Sequence, residues 1–432
     1  MSSDQPAGSA RRTSWREWFI HLVRPPELTS RHWQLLRLLG VTVFFASYDV
    51  ALLPLALPQI RSGLEIPADQ VSYWSAIIRL GPLPAFLLAL AADTWGRRRL
   101  LLVSLVLFSL LSGATGLAPS VGVFVALQFL VRTFVAACGL LAGVMIIEEF
   151  PEQSRGWGLG AYTALASFGG GTAAVLFALV NVLPYGWRTL YLVGWVALFF
   201  CGWLFRTLPE TERFQQQQAS HAARPRQAIS APLQRLLRAY PARLLTIALV
   251  IILVNLGGDA ALFYDSSYLQ QAHGWQPWQV SLLNLGAGYM ALVGSAAGGR
   301  LSDRLGRKRT TSIFLTALPL FIIGYYNVGG WLLPLLWAGL LFTSIGAGVA
   351  LGALSSELFP TSFRSTASGA MSVVATLFGA LCLVLHGWLF QRTGSAWQAV
   401  SILALLLFFA PLLITRLPET SGRSLEEIAP ER

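Results

Sequence analysis

Charge is scarce in this chain. Only 12% of its 432 residues are Asp, Glu, Lys or Arg, against 55% hydrophobic, whereas a soluble domain carries about 25% charged residues. That shortage argues against an ordinary soluble enzyme or binding domain. Cysteine is equally thin. Cys138, Cys201 and Cys382 fall in apolar stretches with neither disulfide nor metal-ligand spacing, and are read as small core residues. The sequence offers no nucleophile constellation, no metal-binding cluster and no nucleotide loop. An enzyme, a cofactor and a metal are therefore not expected. The amino terminus lacks the apolar core and small-residue cleavage site of a signal peptide, so no cleaved leader is expected.

What charge there is lies unevenly. The formal net charge is +11, which by itself would suit nucleic acid. The basic residues, however, gather in 1–37, 93–99, 150–156, 206–243, 300–309, at Arg364 and in the tail, while the alternate loops keep Arg61, Arg188 and Arg392. Such asymmetry sets the topology of a membrane protein, with both termini on the cytoplasmic side, and nucleic acid is not expected as a partner.

What is plentiful is long apolar runs. A hydrocarbon core of ~30 Å takes about 20 residues of helix to cross. Twelve runs of that order are present, over 38–60, 70–92, 100–118, 121–147, 157–182, 189–208, 243–269, 277–301, 310–328, 331–356, 367–390 and 396–416. The expected fold class is an all-α membrane protein of twelve transmembrane helices.

The chain also repeats itself. Gly299-Arg300-Leu301-Ser302-Asp303-Arg304-Leu305-Gly306-Arg307-Lys308-Arg309 stands between two apolar runs, and Asp93, Gly96 and the basic cluster Arg97-Arg98-Arg99 stand between two others. Asp93 and Asp303 are 210 positions apart, as are Asp49 and Asp259. Glu148, Pro151 and Arg155 recur as Glu357, Pro360 and Arg364 at an offset of 209, and Pro209-Glu210-Thr211 recurs as Pro418-Glu419-Thr420 at the same offset. Six spans per repeat give both copies the same orientation, so a parallel repeat about an axis along the membrane normal is predicted. The organisation read from this is a tail over 1–36, a first half over 37–208, a linker over 209–242, a second half over 243–417 and a tail over 418–432.

Ionisable groups inside the apolar runs carry the functional expectations, because a charge at membrane depth must face a partner or a wet cavity. Asp49 lies eleven residues from Leu38, roughly 16 Å along a helix and so near the midplane. Desolvation favours the neutral form of such a carboxylate unless a cation compensates. Arg132 is its expected partner. Arg79 has no counterpart in the second half; it is expected either to bind a substrate carboxylate, to neutralise Asp49 or to snorkel outward. Asp259, Asn255, Tyr264 and Tyr268 cluster in span 7, with Asp265 near its outer end, and Asp259 is a second candidate for a titrating or substrate-contacting group. His386 stands alone in span 11 and is read as packing.

These residues resemble the major facilitator superfamily over about 36–428. The second loop copy matches the family's G-x-L-x-D-R-x-G-R-R/K motif in full, whereas in the first Ala89 replaces the glycine and Thr94 the arginine. Tyr48-Asp49, the E-x-x-P-x-x-x-R stretches and the two P-E-T segments resemble the sugar porter and related metabolite:proton symporter branch. The sugar-contacting positions do not: Leu253-Val254 and Thr163 stand where that branch carries glutamines, and Gly352 where it carries tryptophan. A polyhydroxylated solute needs many partners for its hydroxyls, so an organic or aromatic acid is expected instead.

The resemblance implies a secondary transporter that works by alternating access, with proton-coupled symport through Asp49, Arg132 and Asp259. It places Arg79, Tyr48, Asn255, Asp259, Tyr264 and Thr163 at the substrate. In that branch the arginine partner of the aspartate falls at Gln128, one helical turn before Arg132. The resemblance also implies that Asp93, Arg97, Glu148, Arg155, Asp303, Arg307, Glu357 and Arg364 form ion pairs that latch the halves when the cavity opens outward. The expected partners are a small molecule, protons and the bilayer of a bacterial inner membrane, with the protein a monomer. An exporter or facilitator of hydrophobic solutes, or a transporter-like sensor, remain the alternatives.

Overall fold

The computed structural model describes residues 28–151, 154–208 and 230–421; the side chains of Leu90, Asp93, Thr94, Thr361, Ser362 and residues 230–233 lie outside that description. Among the described residues, eleven helices are long and apolar enough to cross a membrane, from Ser30–Leu55 to Ala396–Ile414. The remaining span is Arg307–Asn327, 21 residues long, or about 31 Å of helix. It falls just short on composition because Thr310, Thr311, Ser312, Tyr325, Tyr326 and Asn327 dilute its apolar run. The fold is therefore the all-α bundle of twelve transmembrane helices. Phe199 and Leu245 are 84% and 62% exposed, an apolar outer surface that suits lipid rather than water.

The repeat is visible in backbone geometry. Spans 2 and 3 (Val71–Ala89, Arg97–Thr115) and spans 8 and 9 (Pro277–Leu305, Arg307–Asn327) are each joined at the loop motif. Gly96 and Gly306 there adopt φ 93° and 98°, with ψ 139° and 152°. That region is open to glycine alone, which explains why glycine stands in both copies of the motif.

Two spans are broken. Span 2 is interrupted after Arg79, where Pro82 opens the next helical segment, Leu83–Trp95. Proline lacks an N–H and its ring crowds the carbonyl four residues back. The Thr133 hydroxyl of span 4 (Val121–Glu149) donates to the Gly81 carbonyl at 2.6 Å, satisfying an acceptor the break leaves over. Span 7 (Pro241–Phe263) stops at Tyr264, and a shorter helix, Asp265–His273, continues beyond it. Both breaks flank the central cavity described below.

Glycines set how closely helices meet. Gly169 of span 5 (Arg155–Phe177) lies so near span 1 that a Cβ there would collide with the Phe44 backbone. Gly169→Val is expected to push spans 1 and 5 apart, at a cost of about 1–3 kcal/mol, and to lower the apparent melting temperature in detergent. An unchanged melt would show that the contact is looser than described.

Among the described residues three apolar cores result. Near the loop-motif end each half has its own: Leu38, Leu101 and Met145 belong to one, Leu244, Phe314 and Leu354 to the other. Toward the opposite end a single core takes residues from both, including Tyr48, Leu52 and Phe177 with Ala260, Tyr325 and Leu383. The halves are thus fused at one end and separate at the other. Within the segment read as a linker, Ser230–Ala239 is a helix whose Leu236 is buried in the second half's core; residues 209–229 lie outside the described residues.

Candidate functional site

Spans 1, 2, 4, 7 and 11 enclose a cavity of about 330 Å³, lined by Arg79, Arg132, Asp259, Ser75, Gly379 and a mainly apolar wall. Arg79 Nη2 donates to Asp259 Oδ2 at 2.5 Å. The pair runs from the first half to the second. Gly379 of span 11 (Phe363–Thr393) makes room for it, since a Cβ there would collide with Asp259 Oδ2 and crowd Arg79 Nε. Gly379 stands 210 positions after Gly169, so these two close-packing glycines are repeat mates.

Asp49 lies behind this wall and is 1% exposed. Ser112 donates its hydroxyl to Oδ2, while Oδ1 has no hydrogen-bond partner. Gln128 and Arg132 face the carboxylate from span 4. Among the described residues Arg132 has no partner at salt-bridge distance; its guanidinium donates to the Val50 carbonyl at 3.3 Å and borders the cavity. The arginine expected to neutralise Asp49 thus stands between the carboxylate and the cavity. Arg79, for which a substrate carboxylate, Asp49 or an outward turn was expected, pairs instead with Asp259.

The other expected substrate contacts divide. Tyr48 is buried, with its hydroxyl donating to the Leu190 carbonyl at 2.8 Å. Tyr264 is buried too, 2.7 Å from the Ser72 hydroxyl and stacked on His386 at 4.3 Å between ring centroids. His386 is not alone: Ser72 lies 3.0 Å from Nδ1 and the Ala396 carbonyl 3.0 Å from Nε2. Asn255 turns its amide to the Ile251 carbonyl of its own helix at 2.7 Å. Thr163 borders a second cavity, of about 700 Å³, between spans 1, 5, 7, 8 and 10, though its hydroxyl donates to Leu159 at 2.9 Å. The two cavities share Pro54 and Leu262.

At the loop-motif end, Arg97 pairs with Glu148 at 2.8 Å, and Arg307 with Asp303 at 2.5 Å and Glu357 at 3.2 Å. These pairs run within a half rather than between the halves. Arg155 donates to the Phe150 carbonyl at 3.3 Å and Arg364 to the Ser356 carbonyl at 2.9 Å. The Asp93 side chain lies outside the described residues. The sequence reading missed Glu419, which accepts from the Arg307 and Lys308 backbone N–H groups at 2.8 and 3.2 Å. A carboxylate at a helix N-terminus satisfies orphan donors and the helix dipole. Its neighbour Thr420 donates to Glu357 at 2.5 Å. The signal is present in the repeated P-E-T segment, which the sequence offers as a mark of the repeat and of the family resemblance without a structural role.

Polar contacts between the halves gather at the opposite end. Gln59 donates to Gln270 at 2.6 Å, Ser266 to the Leu55 carbonyl at 2.6 Å, and Ser72 meets both Tyr264 and His386.

A bundle of two like halves around a charged central cavity defines a membrane transporter, and the comparisons agree. The family model of the Major Facilitator Superfamily matches residues 39–354 and 266–431, and the chain belongs to that superfamily. Its members are transporters rather than enzymes, and this chain is a multi-pass membrane transporter of small organic solutes. It is 24% identical over 377 residues to a proline/betaine transporter of Escherichia coli, covering 81% of this chain and 74% of that one. It is 28% identical over 356 residues to a probable 4-methylmuconolactone transporter of Cupriavidus pinatubonensis, covering 78% of each. Among solved structures, a D-xylose-proton symporter superposes with a TM-score of 0.76 at 17% identity, covering 91% of this chain and all of that one.

Proposed function

We infer that this protein is a proton-coupled symporter of a small organic acid, working by alternating access in a bacterial inner membrane with both termini in the cytoplasm. One observation carries the reading: two guanidinium groups and one carboxylate border the first cavity, with the buried carboxylate of Asp49 directly behind Arg132. Once Asp49 is protonated, positive charge at this site exceeds negative charge, and that excess calls for an anion. Proline and betaine, the solutes named for one relative, both carry a carboxylate.

Asp49 and Arg132 then supply the coupling. While Asp49 is charged, it competes with the solute for Arg132. A proton on Asp49 ends that competition, and Arg132 is released to the solute carboxylate. By linkage, the bound solute favours proton uptake to the same degree. Fusion of the halves at one end leaves the cavity to open at the loop-motif end, which the basic loops place in the cytoplasm. This is the inward-facing arrangement, in which the loop-motif pairs have no need to bridge the halves. Opening outward requires the Arg79–Asp259 pair and the Gln59–Gln270 contact to part.

The test is uptake of labelled aliphatic and aromatic carboxylates into proteoliposomes. Accumulation that requires an inward proton gradient is expected. Uptake indifferent to the gradient would overturn the proton coupling, and a preference for sugars would overturn the solute class.

A further inference from the structure

A carboxyl group borders the second cavity with no cation against it among the described residues. Asp265, at the break in span 7, is 4% exposed and borders that cavity. Tyr325 donates its hydroxyl to Oδ1 at 2.6 Å and Asn284 its amide to Oδ2 at 3.0 Å. Trp337 fixes the Asn284 amide by donating to its oxygen at 3.3 Å. All three donors are neutral. Among the described residues no Arg, Lys or His pairs with Asp265, in contrast to Asp259. Two hydrogen bonds do not discharge a buried carboxylate; it takes up a cation or a proton.

The cavity around it is built for the first. Tyr289 of span 8 is 65% exposed and borders the same space. It stands 210 positions after Arg79, so the repeat puts an aromatic ring in one half where the other half has a guanidinium. A carboxylate and an open aromatic face bordering one cavity are the pair of groups that holds an ammonium or quaternary nitrogen. Hydroxyls of Thr163 and Ser295 complete a polar border without adding positive charge.

We propose that the cavity bordered by Asp265 and Tyr289 is a subsite for the cationic nitrogen of an organic solute. This rests on the reading of the central cavity as the transport site and sharpens it. Because the two cavities meet at Pro54 and Leu262, the solute class becomes one that carries both a carboxylate and a cationic nitrogen.

Equilibrium binding of choline to the purified full-length protein tests this, with 3,3-dimethylbutan-1-ol as the neutral counterpart of the same shape. No proton gradient is present. The expected result is choline binding at least about tenfold tighter than the neutral compound, lost about tenfold in Asp265→Asn and retained in Asp265→Glu. Tyr289→Leu, at an exposed position that leaves folding intact, is expected to weaken choline by about threefold or more. Equal binding of the two compounds, no choline binding at millimolar concentration, or full binding by both Asp265→Asn and Tyr289→Leu would overturn the proposal. Failure of gradient-driven uptake would overturn the symporter and leave this result standing. Carboxylate binding with choline inert would remove only the cation subsite.

Discussion

Asp49→Asn is expected to abolish accumulation while leaving exchange. One proton per solute sustains about a tenfold solute gradient for each pH unit across the membrane, equivalent to 1.36 kcal/mol. Proteoliposomes containing the wild-type protein should approach that ratio, and those containing Asp49→Asn should stop at equality. Asparagine keeps the shape of the side chain and can accept from Ser112, which already donates to Oδ2. It also imitates the protonated carboxylate permanently, so Arg132 stays available and counterflow of labelled against unlabelled solute should persist. The sign of the pH response follows. Uptake by the wild type should rise as pH falls, because protonation of Asp49 favours anion binding, and the variant should be flat over the same range. Accumulation by Asp49→Asn at the wild-type ratio would remove Asp49 from the coupling.

Much of the architecture was legible because membrane burial writes itself plainly into sequence. A span needs about 20 apolar residues, and the motif glycine, Gly96 or Gly306, needs a backbone that only glycine adopts. Helix ends were less legible. The first span begins at Ser30 rather than near residue 38, since a helix can run on past the apolar core where polar residues meet water. The break at Gly81-Pro82 was readable from proline's missing N–H, yet apolar length alone draws one continuous span over it.

The site was legible as a set of residues and not as a set of pairs. Asp49 and Asp259 are repeat mates, and repeat logic expects equivalent surroundings. The pseudo-symmetry axis instead brings unlike positions together in the middle. Asp259 meets Arg79 from the other half at 2.5 Å, and Asp49 meets Ser112, Gln128 and Arg132 of its own. Spacing within one half cannot reveal a contact between halves. Asp265 was noted only as lying near a helix end, because its lack of a cation becomes visible only once its neighbours are known.

Arg132→Ala is expected to cost the most in solute affinity. Arg132 faces Asp49 on one side and the cavity on the other, and its described hydrogen bond is the one to Val50 at 3.3 Å. Because it borders the cavity, it is placed to meet a carboxylate there. Truncating one member of a desolvated charge pair costs about 2–5 kcal/mol, or roughly 30-fold and upward in affinity. Arg132→Lys keeps the charge and loses the planar fork, so it should recover part of that loss, with about tenfold weaker binding than wild type. Removing Arg79 and Asp259 together, as Arg79→Ala with Asp259→Ala, deletes a pair already neutralised and leaves the cavity's net charge unchanged. That double variant should weaken the solute by only about fivefold. Competition binding of a labelled carboxylate orders the three. If the double variant loses as much as Arg132→Ala, then Arg79 holds the solute as well, the first of the roles the sequence left open for it.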